Sequence, residues 1–310
     1  AKNPNNIYVG VFTQNNPDIK KESCYLKKFK YEKNVRYLNI DYKQAKGPLY
    51  ARNIILNKLY NNEKYYLMID SHTLFIKNWD YKLKHMLNYL KETGVNKPIL
   101  SGYPDNITTY DEKLIKDDKI KSEWSNYICK IISGNSYPTV LQTNSKKSGK
   151  YYKTYFGAAG CFFTYSTFFK EINLDPSLEY IFNGEEMLFS LLAYTNGWDI
   201  YSLPYNCIYH KYRTTDEKKK DNIDWYTDIT THNSRDNESS NKSHDILNKI
   251  LTNKEFSKKY KYKVGNIRPM DEYWNKIGYN RYGKNWEERW NKEKEDKLCN
   301  SESIDYNLHI

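Results

Sequence analysis

Short apolar runs separated by turn residues dominate the pattern of hydrophobic positions along the chain. Runs rich in β-branched and aromatic residues occur at 7–13, 35–40, 65–69, 98–103, 158–164 and 198–203. This composition is typical of β-strands. The run at 65–69 is almost continuously apolar, which predicts a strand that is buried on both faces.

Other segments repeat apolar residues at intervals of three and four positions, which is the period of an amphipathic helix. They are 48–61, 79–91, 185–196 and the stretch that starts at 245. Gly47-Pro48 opens the first of them and places proline in the first helical turn, where its missing N–H costs nothing. Strands that alternate with helices at this spacing predict an α/β sheet.

Changes in composition divide the chain into three parts. Residues 1–213 carry the alternating strands and helices and are predicted to form the core, although 113–153 give no clear pattern beyond an exposed loop at 146–150. Residues 214–243 are almost all polar or charged, which predicts a surface loop. Residues 244–310 regain helical periodicity, so we expect a helical segment packed on the core.

The charge of the chain bears on the class of partner. The protein has 310 residues and a formal net charge of +11 at pH 7. Lysine, asparagine, tyrosine and isoleucine, which AT-rich codons specify, are abundant, and the lysines are scattered. Nucleic-acid-binding proteins more often have clustered arginines and a readable motif. We therefore predict no nucleic-acid partner and a surface that mildly attracts anionic substrates.

Targeting signals and cysteines bear on location. No stretch approaches 18 uncharged apolar residues, so no membrane span or membrane partner is predicted. The first six residues lack a signal-peptide pattern, and the missing initiator methionine is compatible with removal of an upstream segment. The five cysteines are odd in number, far apart and without a CxxC pair, which favours reduced thiols. A cytoplasmic location is the resulting prediction.

The tripeptide Asp70-Ser71-His72 is the clearest chemical feature of the sequence, because it directly follows the strand predicted at 65–69. Ligands of open α/β sheets bind beyond the carboxyl ends of the strands. Residues two apart in extended backbone point to the same side, so Asp70 and His72 can present an oxygen and a nitrogen to one ion. This ligand pair suits Mn²⁺ better than Mg²⁺. His210, after the last predicted core strand, is the best candidate for a third ligand.

A set of motifs in fixed order then points to a family. They are Gly47-Pro48-x-x-Ala51-Arg52, Ile69-Asp70-Ser71-His72, Tyr103-Pro104, Phe182-x-Gly184-Glu185-Glu186, Gly197-Trp198-Asp199, His210-x-Tyr212 and Asp271-Glu272-Tyr273-Trp274. In this order they resemble the Skp1-type hydroxyproline N-acetylglucosaminyltransferases over about residues 7–280. The DSH tripeptide is also similar to the metal motif of polypeptide N-acetylgalactosaminyltransferases, a distant relation.

The resemblance implies an α/β protein with the GT-A glycosyltransferase fold. That fold is a Rossmann-like nucleotide-binding sheet flanked by helices, here with a helical C-terminal extension, so residues 1–213 would be the catalytic core. It implies Mn²⁺ or another divalent cation held by Asp70, His72 and His210. It also implies a UDP-sugar donor and a protein or peptide acceptor.

Further residues are predicted to contact the nucleotide sugar. Thr13 and Gln14 close the first strand, where the uridine edge would be read by hydrogen bonds. Arg52, one turn into a helix, is expected to contact the diphosphate. Small residues at Ala159 and Gly160 would allow close approach of the backbone to a sugar. Asp70 and Ser71 complete this predicted set.

Glu185 and Glu186 are predicted to act at the reaction centre, where one carboxylate would bind sugar hydroxyls or orient the acceptor hydroxyl. The sequence does not distinguish between them, and their alternative role is that of acids at the positive end of a helix. The family tends to have arginine at two positions where this chain has Leu74 and Leu192. Both differences remove a cation that would contact sugar or phosphate, or pair with a carboxylate.

The predicted function is a metal-dependent retaining transfer of a sugar from a UDP-sugar to a protein hydroxyl. The resemblance implies UDP-GlcNAc as donor and hydroxyproline as acceptor. Transfer of glucose, galactose or GalNAc to another hydroxylated or Ser/Thr-rich protein is one alternative, and Leu74 and Leu192 favour it. The other is an inactive relative that binds sugar nucleotides without turnover.

Overall fold

The computed structural model shows helices on both sides of a mixed β-sheet, which confirms the predicted α/β class. The structure describes residues 1–16, 18, 30–109, 111–119, 124–134, 137–172, 174–212, 237–262, 264–290, 292–300 and 302–306.

The central sheet has six strands in the order β13-β9-β11-β5-β10-β3. Their bounds are β3 (Tyr65–Ile69), β5 (Pro98–Ser101), β9 (Lys150–Thr154), β10 (Cys161–Tyr165), β11 (Asp199–Tyr201) and β13 (Ser303–Asp305). Four of these six strands were predicted from their apolar runs. β5 and most of β10 are fully buried, as near-continuous apolar runs require. The prediction of burial on both faces is wrong for β3, where only Met68 is fully buried.

Strand direction brings several loops to one edge of this sheet. β10 is antiparallel to both β3 and β5, and β11 is parallel to β5. The carboxyl ends of β3, β5 and β11 therefore meet the start of β10. Cys161, the first residue of β10, pairs with Ile69, the last residue of β3. Asp70 and Gly160 thus face each other at this edge.

Among the described strands, three smaller sheets lie outside the central one. β1 (Val9–Asn15) and β2 (Val35–Asp41) form a parallel pair. β12 (Ile208–His210) lies between β4 (Thr73–Phe75) and β6 (Asp105–Asn106). β7 (Trp124–Gly134) and β8 (Pro138–Lys147) form a long antiparallel hairpin. This hairpin occupies much of the segment without a clear sequence pattern, and β8 includes residues predicted as an exposed loop.

Ten α-helices are present in the described part of the chain. They are α1 (Pro48–Ile54), α2 (Trp79–Glu92), α3 (Glu112–Lys116), α4 (Thr167–Glu171), α5 (Glu185–Thr195), α6 (Asn237–Thr252), α7 (Lys254–Lys259), α8 (Met270–Ile277), α9 (Trp286–Arg289) and α10 (Lys292–Cys299). α1 continues into a π-helical turn at Ile55–Leu59, close to the predicted helix end.

Helix α5 is the central helix of the larger core cluster. Every residue from 187 to 195 is buried, because this helix is apolar on all sides and needs neighbours on all sides. Gly184 precedes it with a left-handed φ of 97°. A side chain there would also collide with Tyr137, 2.6 Å from the Cβ position. Glycine at this position therefore fixes where the helix, with its two glutamates, begins.

The C-terminal segment packs on the core through several helices and also contributes a strand. Helix α6 starts at Asn237, so the last seven residues of the polar stretch 214–243 are helical. The rest of that stretch, 214–236, lies outside the described residues. Strand β13, the last one among the described residues, pairs with β9 at the edge of the central sheet.

The prediction that the cysteines are reduced is wrong for two of them. Cys129 of β7 and Cys299 of α10 form a disulfide, and this bond links the C-terminal segment to the hairpin. Cys161 and Cys207 are free and buried. The two partners are 170 residues apart in sequence, a separation that no local spacing rule connects.

We find no helix among the described residues with the length and apolarity needed to cross a membrane.

Candidate functional site

Asp70 lies at the carboxyl end of β3, as predicted, and its loop is held locally. The Thr73 hydroxyl donates to the backbone oxygen of Asp70 at 2.6 Å. Ser71 Oγ lies 3.2 Å from Nδ1 of the exposed His72. Asp70 itself keeps 41% of its side chain exposed. The carboxylate is therefore accessible to a ligand at the sheet edge.

Strand β12 brings His210 to the same place. His210 pairs with Thr73 across the small sheet, and the Lys211 backbone N–H donates to the His72 carbonyl. His210 Nε2 lies 3.8 Å from Asp70 Oδ2, and the His72 and His210 ring centroids are 5.9 Å apart. The three predicted metal ligands are thus neighbours, although His210 is far from Asp70 and His72 in sequence.

His210 is largely buried and its chemistry fits that of a neutral ligand. Burial lowers the pKa of His210, and His72 adds to this shift, while the charge of Asp70 opposes it. Nδ1 of His210 is buried and has no hydrogen-bond partner in the described structure. A carboxylate oxygen and imidazole nitrogens form a donor set that suits Mn²⁺, so the residues fit a divalent cation by type.

The three side chains do not converge on one point. Among the described residues, no group of three histidine, cysteine, aspartate or glutamate side chains is arranged to hold a metal ion. His72 is exposed, so its side chain can turn toward Asp70 and His210 with little steric resistance. Metal ligation by these residues remains a prediction from sequence and proximity.

Gly160 packs directly against Asp70. A Cβ at Gly160 would lie 3.3 Å from Asp70 Oδ2 and 3.1 Å from Cδ of Pro104. The close approach that the structure shows at this position is to the Asp70 carboxylate, and the predicted approach of the backbone to a sugar remains a prediction. Any larger residue would displace the group proposed to bind the cation.

Gly160→Ala should weaken Mn²⁺-dependent binding of UDP several-fold and leave the thermal midpoint nearly unchanged, because the added methyl group displaces Asp70 without opening the core. Isothermal titration calorimetry measures the affinity for UDP, and thermal unfolding measures the midpoint. Gly102→Ala is the matched control, since its Cβ would meet only ordinary contacts, 3.4 Å from Asn126 O and 3.9 Å from Leu203. Equal affinities for both variants would contradict this role of Gly160.

Arg52 connects two carboxylates. Its guanidinium donates to Glu185 through Nη1 and to Asp70 Oδ1 through Nη2, the latter at 3.3 Å. The Arg52 side chain is 13% exposed and that of Glu185 is 5% exposed. Burial lowers the pKa of Arg52, but Glu185 and Asp70 raise it by more, so the net shift is upward. Arg52 thus forms an ion pair, buried rather than on the surface, and its predicted diphosphate contact remains a prediction.

The structure separates the two glutamates that the sequence leaves equivalent. Glu185 is bound to Arg52, and its second oxygen, Oε2, is buried with no hydrogen-bond partner in the described structure. Burial raises the pKa of Glu185, while the charge of Arg52 opposes the shift. A buried carboxylate oxygen without a donor is costly, and a ligand hydroxyl would supply one.

Glu186 instead forms hydrogen bonds with the residues before β10 and after β5. Its carboxylate accepts from the Ala159 backbone N–H at 2.9 Å and from the Tyr103 hydroxyl. Burial raises the pKa of Glu186 to about 7, although both hydrogen bonds lower it. Tyr103 belongs to a motif quoted above, but sequence alone gave it no role. It follows β5, whose carboxyl end lies at the same sheet edge.

Thr13 and Gln14 belong to a different, two-stranded sheet. Both are in β1, opposite Asn39 and Ile40 of β2 in the two-stranded sheet. The Thr13 hydroxyl bonds with Asn39 and Tyr37, each at 2.7 Å. Their predicted contact with uridine remains a prediction.

The two leucines that replace expected arginines have apolar surroundings. Leu192 is 1% exposed within the core around α5, and Leu74 is half-buried against the second core cluster.

Asp80, which follows Trp79, accepts from the backbone N–H groups of Lys2 and Asn3 at 2.6 and 2.9 Å. Asp80 therefore holds the N-terminal residues.

Comparison with known proteins gives one match to a family. A model of the family described as "Glycosyltransferase (GlcNAc)" matches residues 17–282. No curated protein matches the chain. Among solved structures, the crystal structure of GalNAc-T7 with UDP, GalNAc and Mn²⁺ is similar at 14% identity and a TM-score of 0.39. That similarity covers 78% of this chain and 43% of the GalNAc-T7 chain.

Proposed function

Because the chain belongs to the glycosyltransferase (GlcNAc) family, we propose that it transfers N-acetylglucosamine from UDP-GlcNAc to a protein hydroxyl group. Hydroxyproline is the proposed acceptor, with the GT-A arrangement and retention of the anomeric configuration. The acceptor class rests on the motif resemblance, and the donor sugar rests on that resemblance and the family description.

One observation carries the placement of the site. Arg52 bridges Asp70 and Glu185, so the DSH loop and the start of α5 form one connected cluster at the edge of the sheet. Gly160 and Glu186 lie at the same edge. Five of the residues predicted from the sequence, Arg52, Asp70, Gly160, Glu185 and Glu186, thus lie in this cluster or next to it.

Each residue is proposed to have one task. Asp70, His72 and His210 would hold a divalent cation, which when bound supplies Lewis-acid stabilisation of a departing diphosphate. Glu185 Oε2 would accept a hydrogen bond from a sugar hydroxyl, which would end its unpaired state. Glu186 would orient the acceptor hydroxyl beside Ala159. In a front-face retaining reaction the protein contributes mainly positioning and electrostatics.

The pKa of Glu186 predicts a pH dependence. If the carboxylate form orients the acceptor, kcat/KM should rise with pH and level off above about 7. Glu186→Gln should lower kcat/KM about 100-fold and flatten the profile between about pH 6 and 8. An unchanged pH profile in this variant would remove Glu186 from the reaction.

The raised pKa of Glu186 also makes the free energy of unfolding depend on pH. The folded chain keeps a proton on Glu186 that the unfolded chain loses above its ordinary pKa of 4.5. The free energy of unfolding should therefore fall as pH rises from 4.5 to about 7. The Glu186→Gln variant should lack this part of the decrease, which urea denaturation at several pH values measures.

Product analysis tests the donor and acceptor together. UDP release is measured with UDP-GlcNAc, UDP-GalNAc, UDP-glucose and UDP-galactose, each with a hydroxyproline peptide and with the same peptide containing proline. We expect release with UDP-GlcNAc and the hydroxyproline peptide, with a glycosylated product detected by mass spectrometry. If only one of the other UDP-sugars gives turnover, that sugar nucleotide replaces UDP-GlcNAc as the proposed donor. Equal turnover with both peptides would exclude hydroxyproline as the acceptor.

A further inference from the structure

Tyr103 holds the glutamate that is proposed to orient the acceptor. Its hydroxyl donates to Oε2 of Glu186, while the Ala159 backbone N–H donates to Oε1 at 2.9 Å. The two donors come from different segments, one after β5 and one before β10. Each carboxylate oxygen therefore has its own donor, and the carboxylate cannot turn without losing one of them.

The Glu186 carboxylate retains capacity for a further donor. An ionised carboxylate offers about four acceptor sites, and the hydrogen bonds from Tyr103 and Ala159 occupy two of them. Glu186 is also partly exposed, whereas Glu185 beside it is buried. Glu186 thus has unused acceptor sites on a residue that solvent reaches in part.

The backbone around Tyr103 is held independently of the hydroxyl. Asn126 of β7 donates to the Tyr103 carbonyl at 3.0 Å. The next carbonyl, that of Pro104, accepts from the Tyr212 hydroxyl at 2.9 Å. The Tyr103 ring also packs against the larger core cluster. Loss of the hydroxyl alone should therefore leave the ring and the backbone in place.

The hydrogen bond between Tyr103 and Glu186 couples their ionisation. Burial raises the pKa of Tyr103, and the charge of Glu186 raises it further, so the phenol remains a donor around neutral pH. Burial raises the pKa of Glu186 to about 7, and the hydrogen bond from Tyr103 opposes that shift, because a donor stabilises the ionised form.

The other charged or titratable neighbours of the Glu186 carboxyl are known and do not depend on Tyr103. The charge of Glu185 raises the pKa of Glu186, and Arg52 lowers it. The charge of Glu186 also raises the pKa of Tyr212, which places that phenol near the same carboxyl. All three groups remain when the Tyr103 hydroxyl is removed.

We propose that Tyr103 is a positioning residue for sugar transfer, whose hydroxyl keeps Glu186 ionised and fixes the orientation in which its carboxylate receives the acceptor hydroxyl. This inference rests on the proposed function. A hydrogen bond with a structural role alone would contribute to stability but would not affect the pH dependence of transfer.

Carbon-13 NMR of the glutamate side-chain carboxyl groups tests the hydrogen bond without any substrate, because Glu186→Gln identifies the Glu186 signal by its absence. In Tyr103→Phe the pKa of Glu186 should rise by about one unit, the size expected for the loss of one hydrogen bond to a charged group. The pH midpoint of kcat/KM should move up by the same amount. At pH 7, kcat/KM should fall about fivefold, because a smaller fraction of Glu186 is ionised.

Tyr260→Phe is the matched control. The Tyr260 hydroxyl also donates to a carboxylate, that of the buried Asp175, which is not among the residues of the candidate site. This variant should lose stability as Tyr103→Phe does. It should keep the wild-type pKa of Glu186 and the wild-type pH midpoint of kcat/KM.

The NMR and kinetic results separate this proposal from the proposed function. An unchanged pKa of Glu186 in Tyr103→Phe, folded by circular dichroism, would overturn the proposal whether or not the protein transfers sugar. A raised pKa with an unshifted kinetic midpoint would also overturn it, because the hydrogen bond would then be structural only. Absence of transfer by the wild type, together with a raised pKa in Tyr103→Phe, would overturn the proposed function and with it the role of Tyr103 in transfer.

Discussion

Replacing Arg52 with methionine should abolish sugar transfer and lower the free energy of unfolding by about 3–5 kcal/mol. The stability loss follows because Glu185, 5% exposed, would keep a buried carboxylate without its cation. Breaking a buried ion pair by removing one partner is among the most destabilising single changes. Urea denaturation measures the stability, and UDP release measures the transfer.

The double variant Arg52→Met/Glu185→Gln separates the two effects. Removing the buried charge should restore most of the lost stability, because the unpaired carboxylate is its main cause. Transfer should not return, since Asp70 has still lost the contact with Arg52 and the carboxylate proposed to bind a sugar hydroxyl is gone. Recovery of both stability and transfer in the double variant would show that neither Arg52 nor the charge of Glu185 takes part in transfer.

Reduction of the disulfide is the second change with a large expected effect. Dithiothreitol should lower the free energy of unfolding by about 2–5 kcal/mol, because Cys129 and Cys299 close a loop of 170 residues. This loss is a large fraction of the roughly 5–15 kcal/mol that stabilises a typical domain. The first structure to loosen should be the contact of α10 with the β7–β8 hairpin.

A matched variant removes the ambiguity of chemical reduction. Cys129→Ala/Cys299→Ala should be as unstable as the reduced wild type, and dithiothreitol should not destabilise it further. If reduction leaves the wild type as stable as before, the bond does not hold the C-terminal segment in solution. Disulfides persist mainly in oxidising compartments, so this measurement also bears on the cytoplasmic location predicted from the sequence.

The sequence signals that point to the candidate site are local. The apolar strand 65–69 and the polar tripeptide after it are adjacent in sequence, and strand ends are where α/β sheets bind ligands. Ala159 and Gly160 before β10, and Gly184 before α5, are likewise recognised from their own residue types. His210 was predicted in part by resemblance, and the structure places it beside Asp70 through the pairing of β12 with β4.

The partners within the site were not predictable, because they depend on long-range packing. Arg52 and Glu185 are separated by 133 positions, and nothing in either local pattern connects them. The same is true of Glu186 and the Ala159 backbone. The distinction between the two glutamates therefore required the three-dimensional arrangement.

The missed elements have physical reasons of their own. β7 and β8 mix lysine, asparagine and serine with apolar residues and contain register shifts, which disrupts the alternation that identifies strands. Strand β13 has only three residues, and its pairing with β9 depends on the fold of the whole segment. Leu192 looked like the loss of a ligand-binding cation, yet its side chain lies in the core.

Titration of UDP-GlcNAc into the protein with Mn²⁺, compared with the same titration in EDTA, tests the central claim most directly. The account predicts saturable binding to the wild type in Mn²⁺, little binding in EDTA, and a loss of at least tenfold in affinity for Asp70→Asn and His72→Ala. Lys116→Ala, on an exposed helix, should bind like the wild type. Absence of binding in Mn²⁺, or equal affinity of the wild type and Asp70→Asn, would contradict a sugar-nucleotide site at the end of β3.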